Sequence, residues 1–181
     1  MVWFCAMSMM RFGQFFRDLA ERETRCVTLT APLLQEGRLI LPADEYGLDE
    51  SYCVEAGCDC RRVMINVLAR YARDHVATIN HGFDPPSRDY DLSDQTFLDP
   101  LNRQTEWSEA LLDVFVNVVL RDKAYQKRLL LHYHMFKNAV NDQAHPCQRF
   151  IRGAEVETTM ESAVRRSPIP PPPRRGKRKW R

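Results

Sequence analysis

Cys53, Cys58 and Cys60, in the stretch YCVEAGCDCRR, place three thiols at C-x4-C-x-C spacing. Zinc is held by four Cys or His ligands in structural sites, and by three protein ligands plus water in catalytic ones. The cluster supplies three, and Gly57 allows the tight backbone turn that a chelating loop needs. A fourth ligand can be sought by geometry. A hairpin centred near residues 70–74 sets residues 61–63 opposite His81, and cross-strand neighbours lie about 5 Å apart. His81 then approaches Cys60 and a Cys3His zinc site results, although a one-residue slip in register turns the imidazole to the other face. Asp59, His75 and Cys26 are weaker candidates. A zinc site requires the three Sγ atoms to converge within about 4 Å of one another.

Two other chemistries fit the same residues. Cysteines are often buried simply as small apolar side chains. Alternatively, the neighbouring Arg61 and Arg62 would lower a thiol pKa and yield a reactive thiolate. The spacing is not the C-x2-C pair more usual in zinc sites, so all three readings stand at this level.

Other constellations carry less. His132 and His134 sit two apart, so on a helix they point to different sides and a partly exposed surface is expected instead of a shared metal. Asp84, Asp89, Asp91, Asp94 and Asp99 lack the calcium-loop pattern. His145-Pro146-Cys147 has no cysteine nearby. There is no G-x-S-x-G, no phosphate-binding glycine loop and no H-E-x-x-H.

The C-terminus has a different chemistry. It ends in SPIPPPPRRGKRKWR, where Arg174, Arg175, Lys177, Arg178 and Lys179 can attract phosphates and Trp180 can stack on a base. The same charges suit an anionic membrane surface, and the proline run suits an aromatic groove on a partner. A solubilising terminus is the plain alternative. The formal net charge is +2, from 26 Lys+Arg and 24 Asp+Glu. Residues 165–181 hold eight basic and no acidic side chains, leaving 18 basic against 24 acidic elsewhere. The body is therefore mildly acidic, and any grip on nucleic acid belongs to the tail.

The 181 residues, 44% hydrophobic and 28% charged, correspond to one soluble domain with tails or to two very small domains, and exclude a collagen-like repeat, wholesale disorder or a polytopic membrane protein. The opening ten residues are apolar but too short for a membrane span and lack the marks of a signal peptide. With six cysteines in so long a chain, the expected compartment is reducing and cytoplasmic.

The periodicities that must position the cysteines follow. Phe12, Phe15, Phe16 and Leu19 make a short amphipathic helix within Arg11–Glu23. Cys26–Thr30 and Arg38–Leu41 read as strands ended by Pro32 and Pro42. Asp44–Ser51, acidic and containing Gly47, reads as a loop. Arg62–Leu68 and Val76–His81 alternate as a hairpin. Asp84–Leu101, with three prolines, reads as an irregular loop. Ser108 is an expected N-cap for a helix with Leu111, Leu112, Phe115, Val118 and Val119. Asp122 caps a second helix, with Tyr125, Leu129, Tyr133, Phe136 and Val140 on one face.

The segments ERETRCVTL, LPADEYGLDESYCVEAGCDCRRVMINV, ATINHGF and LDPLN resemble a group of uncharacterised bacterial proteins, some similar to chains that end in a SEC-C zinc-binding module. The likeness spans roughly Glu21–Lys137, and its most distinctive piece is YC-x4-CDCRR. It implies a cytoplasmic bacterial protein with a metal-linked role. The SEC-C module itself has no counterpart here, because PIPPPPRRGKRKWR carries no cysteine.

The expectation is an α+β fold: residues 1–9 an unstructured or upstream extension, 10–142 a single domain, and 143–181 a disordered Pro-rich basic tail. A small antiparallel sheet with a central hairpin should carry an N-terminal helix and a C-terminal antiparallel helix pair. The expected function is a non-enzymatic, zinc-stabilised module that binds protein or nucleic acid through its basic tail. The alternative is a thiol- or metal-dependent enzyme using Cys53, Cys58 and Cys60 beside Arg61 and Arg62.

Overall fold

The computed structural model describes residues 9–58, 60–84 and 95–153. Its centre is the hairpin that the alternating valines and isoleucines specify. β6 (Arg62–Ala69) pairs antiparallel with β7 (Asp74–Gly82) from Arg62↔Gly82 to Ala69↔Asp74, with a bulge at Val67/Leu68. On the other side of β6 lies β5 (Glu45–Cys53), also antiparallel, running Tyr46↔Ala69 to Ser51↔Met64. The free edge of β5 takes two short strands end to end: β1 (Met9–Arg11) opposite residues 51–53 and β2 (Arg25–Thr28) opposite residues 45–48. β8 (Thr96–Leu98) adds to β7 and completes a six-stranded sheet. A separate ribbon pairs β3 (Leu33–Gln35) with β4 (Arg38–Leu41). It is joined by Glu36-Gly37 with φ of 51° and 77°, the twist a two-residue turn demands.

β5 overturns the reading of 44–51 as a loop. Its charges misled because one of them, Glu50, is not on the surface face, while Glu45 and Asp49 pair with the exposed Arg70 and Arg11 on the other. Tyr46, Leu48, Glu50 and Tyr52 alternate toward the helices and are all buried. Glu50, 5% exposed, is accommodated by Tyr52 Oη at 2.8 Å and His132 Nδ1 at 2.7 Å. Asp44 closes the far end of the sheet by accepting the main-chain N–H groups of Glu45, Tyr71 and Ala72.

The N-terminal helix is shorter than its periodicity suggests. It breaks at Phe16 into α1 (Phe12–Phe15) and α2 (Arg17–Glu23). Phe12 stacks on His132 and Phe15 on Phe136, at centroid distances of 4.2 Å and 4.3 Å.

The C-terminal helices are α3 (Ser108–Asn117) and α4 (Lys123–Asn141), joined through a 3-10 turn at Val119–Arg121. Asp122 caps α4 as its sequence suggests, accepting from the Ala124 and Tyr125 N–H groups. Ser108 instead occupies the first turn of α3, where its hydroxyl accepts from Thr105 N and donates to Val76 O. Each helix buries its stripe against strands, α3 on β7 and β8 and α4 on β5 and β6, so the sheet carries their packing. The ordered body also runs past the expected boundary at 142. Cys147 and Gln148 are buried, and the Gln148 amide donates to the carbonyls of Ala139, Val140 and Asp142. This compact unit extends to Gln148, while residues 149–153, the described part of a second unit, are helical. Met9 belongs to the sheet. Residues 1–8 and 154–181, including the basic residues and Trp180 of the tail, lie outside the described residues. Among the described residues no helix is long and apolar enough to cross a membrane.

Candidate metal centre

The connection between β5 and β6 builds the site. Cys53 ends β5 and is 1% exposed. The chain then reverses: Cys58 N donates to Glu55 O at 3.3 Å, with Gly57 at φ 73°. Ala56 keeps a negative φ, so this is a type II turn with glycine at the position that requires it. Glu55 N donates to Cys53 Sγ at 3.4 Å. After Cys60, Arg61 takes φ 43°, a left-handed step that aims the chain into β6. Its carbonyl accepts from Phe83 N at 3.0 Å and its side chain pairs with Asp84 at 2.6 Å.

The sulfurs of Cys53, Cys58 and Cys60 all lie within 4.8 Å of one another. The convergence the spacing calls for is thus present, slightly wider than about 4 Å. Tetrahedral zinc with Zn–S near 2.3 Å spaces sulfurs about 3.8 Å apart, so closure needs movements of about an ångström or less. Cys58 and Cys60 are partly exposed, so solvent reaches the cluster. None of the five described cysteines is in a disulfide. Cys53 and Cys60 share a hydrogen bond that pushes the Cys53 thiol well down and the Cys60 thiol up, while burial raises both. The Glu55 N–H and the charge of Lys137 also favour the Cys53 thiolate. This pairing favours an anionic sulfur at Cys53, and soft thiolates are the donor set that zinc takes.

Lys137 is the neighbour of the cysteine turn that sequence reasoning missed. It is 8% exposed, and its Nζ donates to the carbonyls of Cys53 at 3.3 Å and Glu55 at 3.1 Å. A lysine buried at the apolar edge of a helix was the available signal, since burial of an ammonium demands a partner. Arg61 and Arg62, the cations adjacent in sequence, make their hydrogen bonds elsewhere, although Arg62 still interacts with the Cys60 charge. Arg61 holds Asp84, and Arg62 donates to Asn80 Oδ1 and Gln95 O while lying over the Phe97 ring.

The other candidates stand apart. Among the described residues the ligand group comprises the three cysteines and no imidazole. His81 faces Val63 across the hairpin, bonds Thr96 Oγ1 through Nδ1 at 2.7 Å, and sets its ring edge-on to Phe115. Both neighbours lie on the helix-covered side, which the bulged register selects. Cys26 is exposed on β2, and His75 bonds Ala77 O and Thr78. Asp99 is a structural acceptor for Leu101 N and the Asn80 and Asn102 amides. Asp59, Asp89, Asp91 and Asp94 lie outside the described residues. His132 is not on the surface: it is 2% exposed, with Nδ1 on Glu50 and Nε2 on Glu23.

No family model matches this chain, and neither a curated protein nor a solved structure matches it.

Proposed function

We propose that Cys53, Cys58 and Cys60 hold one zinc ion that fastens the β5–β6 connection, in a non-enzymatic module that binds a protein or nucleic-acid partner. The observation that carries this is the gathering of three sulfurs within 4.8 Å on a loop anchored at both ends. Charge supports it: three thiolates and a divalent ion sum to −1, and the Lys137 ammonium beside Cys53 offsets that. Water or an exogenous ligand takes the fourth position. The basic segment near Arg174–Lys179 adds electrostatic attraction to the partner.

The lowered Cys53 thiol favours a second reading, thiol-dependent catalysis. Its 1% exposure counts against it, because a nucleophile must be reached. Elemental analysis of protein purified without a histidine tag separates the readings. One tightly held zinc, with a loss of stability on chelation, is the expected result. Absence of zinc with rapid alkylation of one thiol near neutral pH would establish the enzyme reading, and absence of zinc with slow alkylation would leave only packing cysteines.

A further inference from the structure

A second feature stands independently of the cysteines. A cavity of about 650 Å³ is lined by the β7–β8 edge and by α4, a volume within the usual range for small-molecule sites. Lys123, Gln126, Lys127 and Leu130 contribute from α4. Their spacing of i, i+3, i+4 and i+7 makes one stripe, opposite the buried stripe of Tyr125, Leu129, His132 and Phe136. Phe83, Leu120 and Leu130 give the cavity an apolar wall.

Among the described residues its charged groups are of one sign, with Gln95, Thr96 and Gln126 as neutral polar neighbours. Lys123 and Lys127 are like charges one turn apart, an arrangement that opposes helix formation. Neither has an ion-pair partner among the described residues; Lys123 Nζ reaches only Gln126 Oε1 at 3.4 Å. Among the described residues no carboxylate lines the cavity. His81 also lines it and is 8% exposed. Its Nδ1 is taken by Thr96, which leaves Nε2 without a partner among the described residues. Burial and the nearby Arg62 charge keep this imidazole neutral, with its pKa lowered to about 4. When the Thr96 hydroxyl donates to Nδ1, the single ring proton sits on Nε2 and can be donated to an anion.

We propose that this cavity binds a small organic carboxylate with an apolar body, its carboxylate held by Lys123, Lys127 and His81 Nε2 and its body against Phe83, Leu120 and Leu130. A phosphate dianion fits less well, because among the described residues no arginine fork and no glycine-built N–H nest lines the cavity.

The test uses the full chain with ¹³C-labelled histidine, followed by NMR, with octanoate, 1-octanol and inorganic phosphate as probes. His81→Gln assigns the His81 signal. Octanoate should move that signal saturably in the sub-millimolar range, while octanol and phosphate at equal concentration leave it in place. The exposed double variant Lys123→Glu/Lys127→Glu should keep the native circular dichroism spectrum and weaken octanoate binding at least tenfold. The proposal is overturned if octanoate leaves the His81 signal unmoved or the double variant binds equally well. It is also overturned if phosphate acts as strongly, which would mean a bare anion site, or if octanol does, which would mean a merely apolar groove.

Discussion

The ammonium of Lys137 lies 3.3 Å from the carbonyl oxygen of Cys53 and 3.1 Å from that of Glu55. α4 thus grips the cysteine turn by its main chain. The helix and the candidate metal loop are one mechanical unit, although eighty-odd residues separate them in the chain.

Lys137→Met keeps the buried stem and removes the donor. Two carbonyls lose their partner, one of them buried, so stability should fall by about 1–3 kcal/mol. Zinc affinity should fall with it, because the thiolate centre loses its balancing charge. Urea denaturation of the apo protein and competitive zinc titration of the folded protein read the two effects separately. Unchanged zinc affinity would confine Lys137 to a packing role.

Metal removal should loosen the β5–β6 connection. A ligand that binds only the folded state at 100 times its Kd adds about 2.7 kcal/mol. Chelator should therefore lower the melting temperature of wild-type protein and leave Cys58→Ser unaffected, since Cys58 is a partly exposed ligand whose loss costs little without zinc. Zinc binding should also release protons, because Cys60 must give up the one it shares with Cys53. Calorimetry in buffers of different ionisation enthalpy measures that release.

His81 supplies a pH dependence with a definite sign. Burial and Arg62 lower its pKa from the ordinary 6.5 to about 4 in the folded chain. The unfolded chain takes up the proton first as pH falls, so stability declines between about pH 6.5 and pH 4 and is constant above that window. The contribution is at most roughly 3 kcal/mol. Urea melts of wild type and His81→Gln, compared from pH 7 to pH 4.5, should show the extra decline only in wild type. Parallel declines in the two proteins would contradict the assignment.

Glu50 and His132 should be strongly coupled. Their side chains are 5% and 2% exposed and meet at 2.7 Å. Glu50→Ala strands His132 Nδ1, while Tyr52 Oη keeps the Leu129 carbonyl as acceptor, at a cost of about 1–3 kcal/mol. The double change Glu50→Ala/His132→Ala should cost less than the sum of the singles, by about 0.5–3 kcal/mol. Additive costs in a urea double-mutant cycle would show that the two act independently.

Local chemistry made part of this architecture legible. Val63, Ile65 and Val67 alternate and give β6; Asp122 precedes an apolar stripe and caps α4; Gly57 sits where the turn between cysteines needs a positive φ. The cysteine spacing by itself pointed to the three sulfurs that converge. What misled was charge read without its partners. Glu50 suggested solvent and lies in the core, because His132 and Tyr52, far along or next along the chain, meet it there. His132 suggested a surface for the same reason. The amphipathic run before residue 23 did not show that it would break at Phe16.

The chain's periodicities and cysteine spacing determined a sheet centred on one hairpin, helices to cover it, and a triple-thiol turn, because alternation, capping and chelate spacing act over a few residues. Only the tertiary structure decided which cation reaches Cys53 and where His81 turns. Lys137 reaches Cys53 across the fold, and His81 takes Thr96 and the helix-side cavity. Register and packing set those contacts between distant segments, and a contact set at a distance leaves no pattern in the local run of residues.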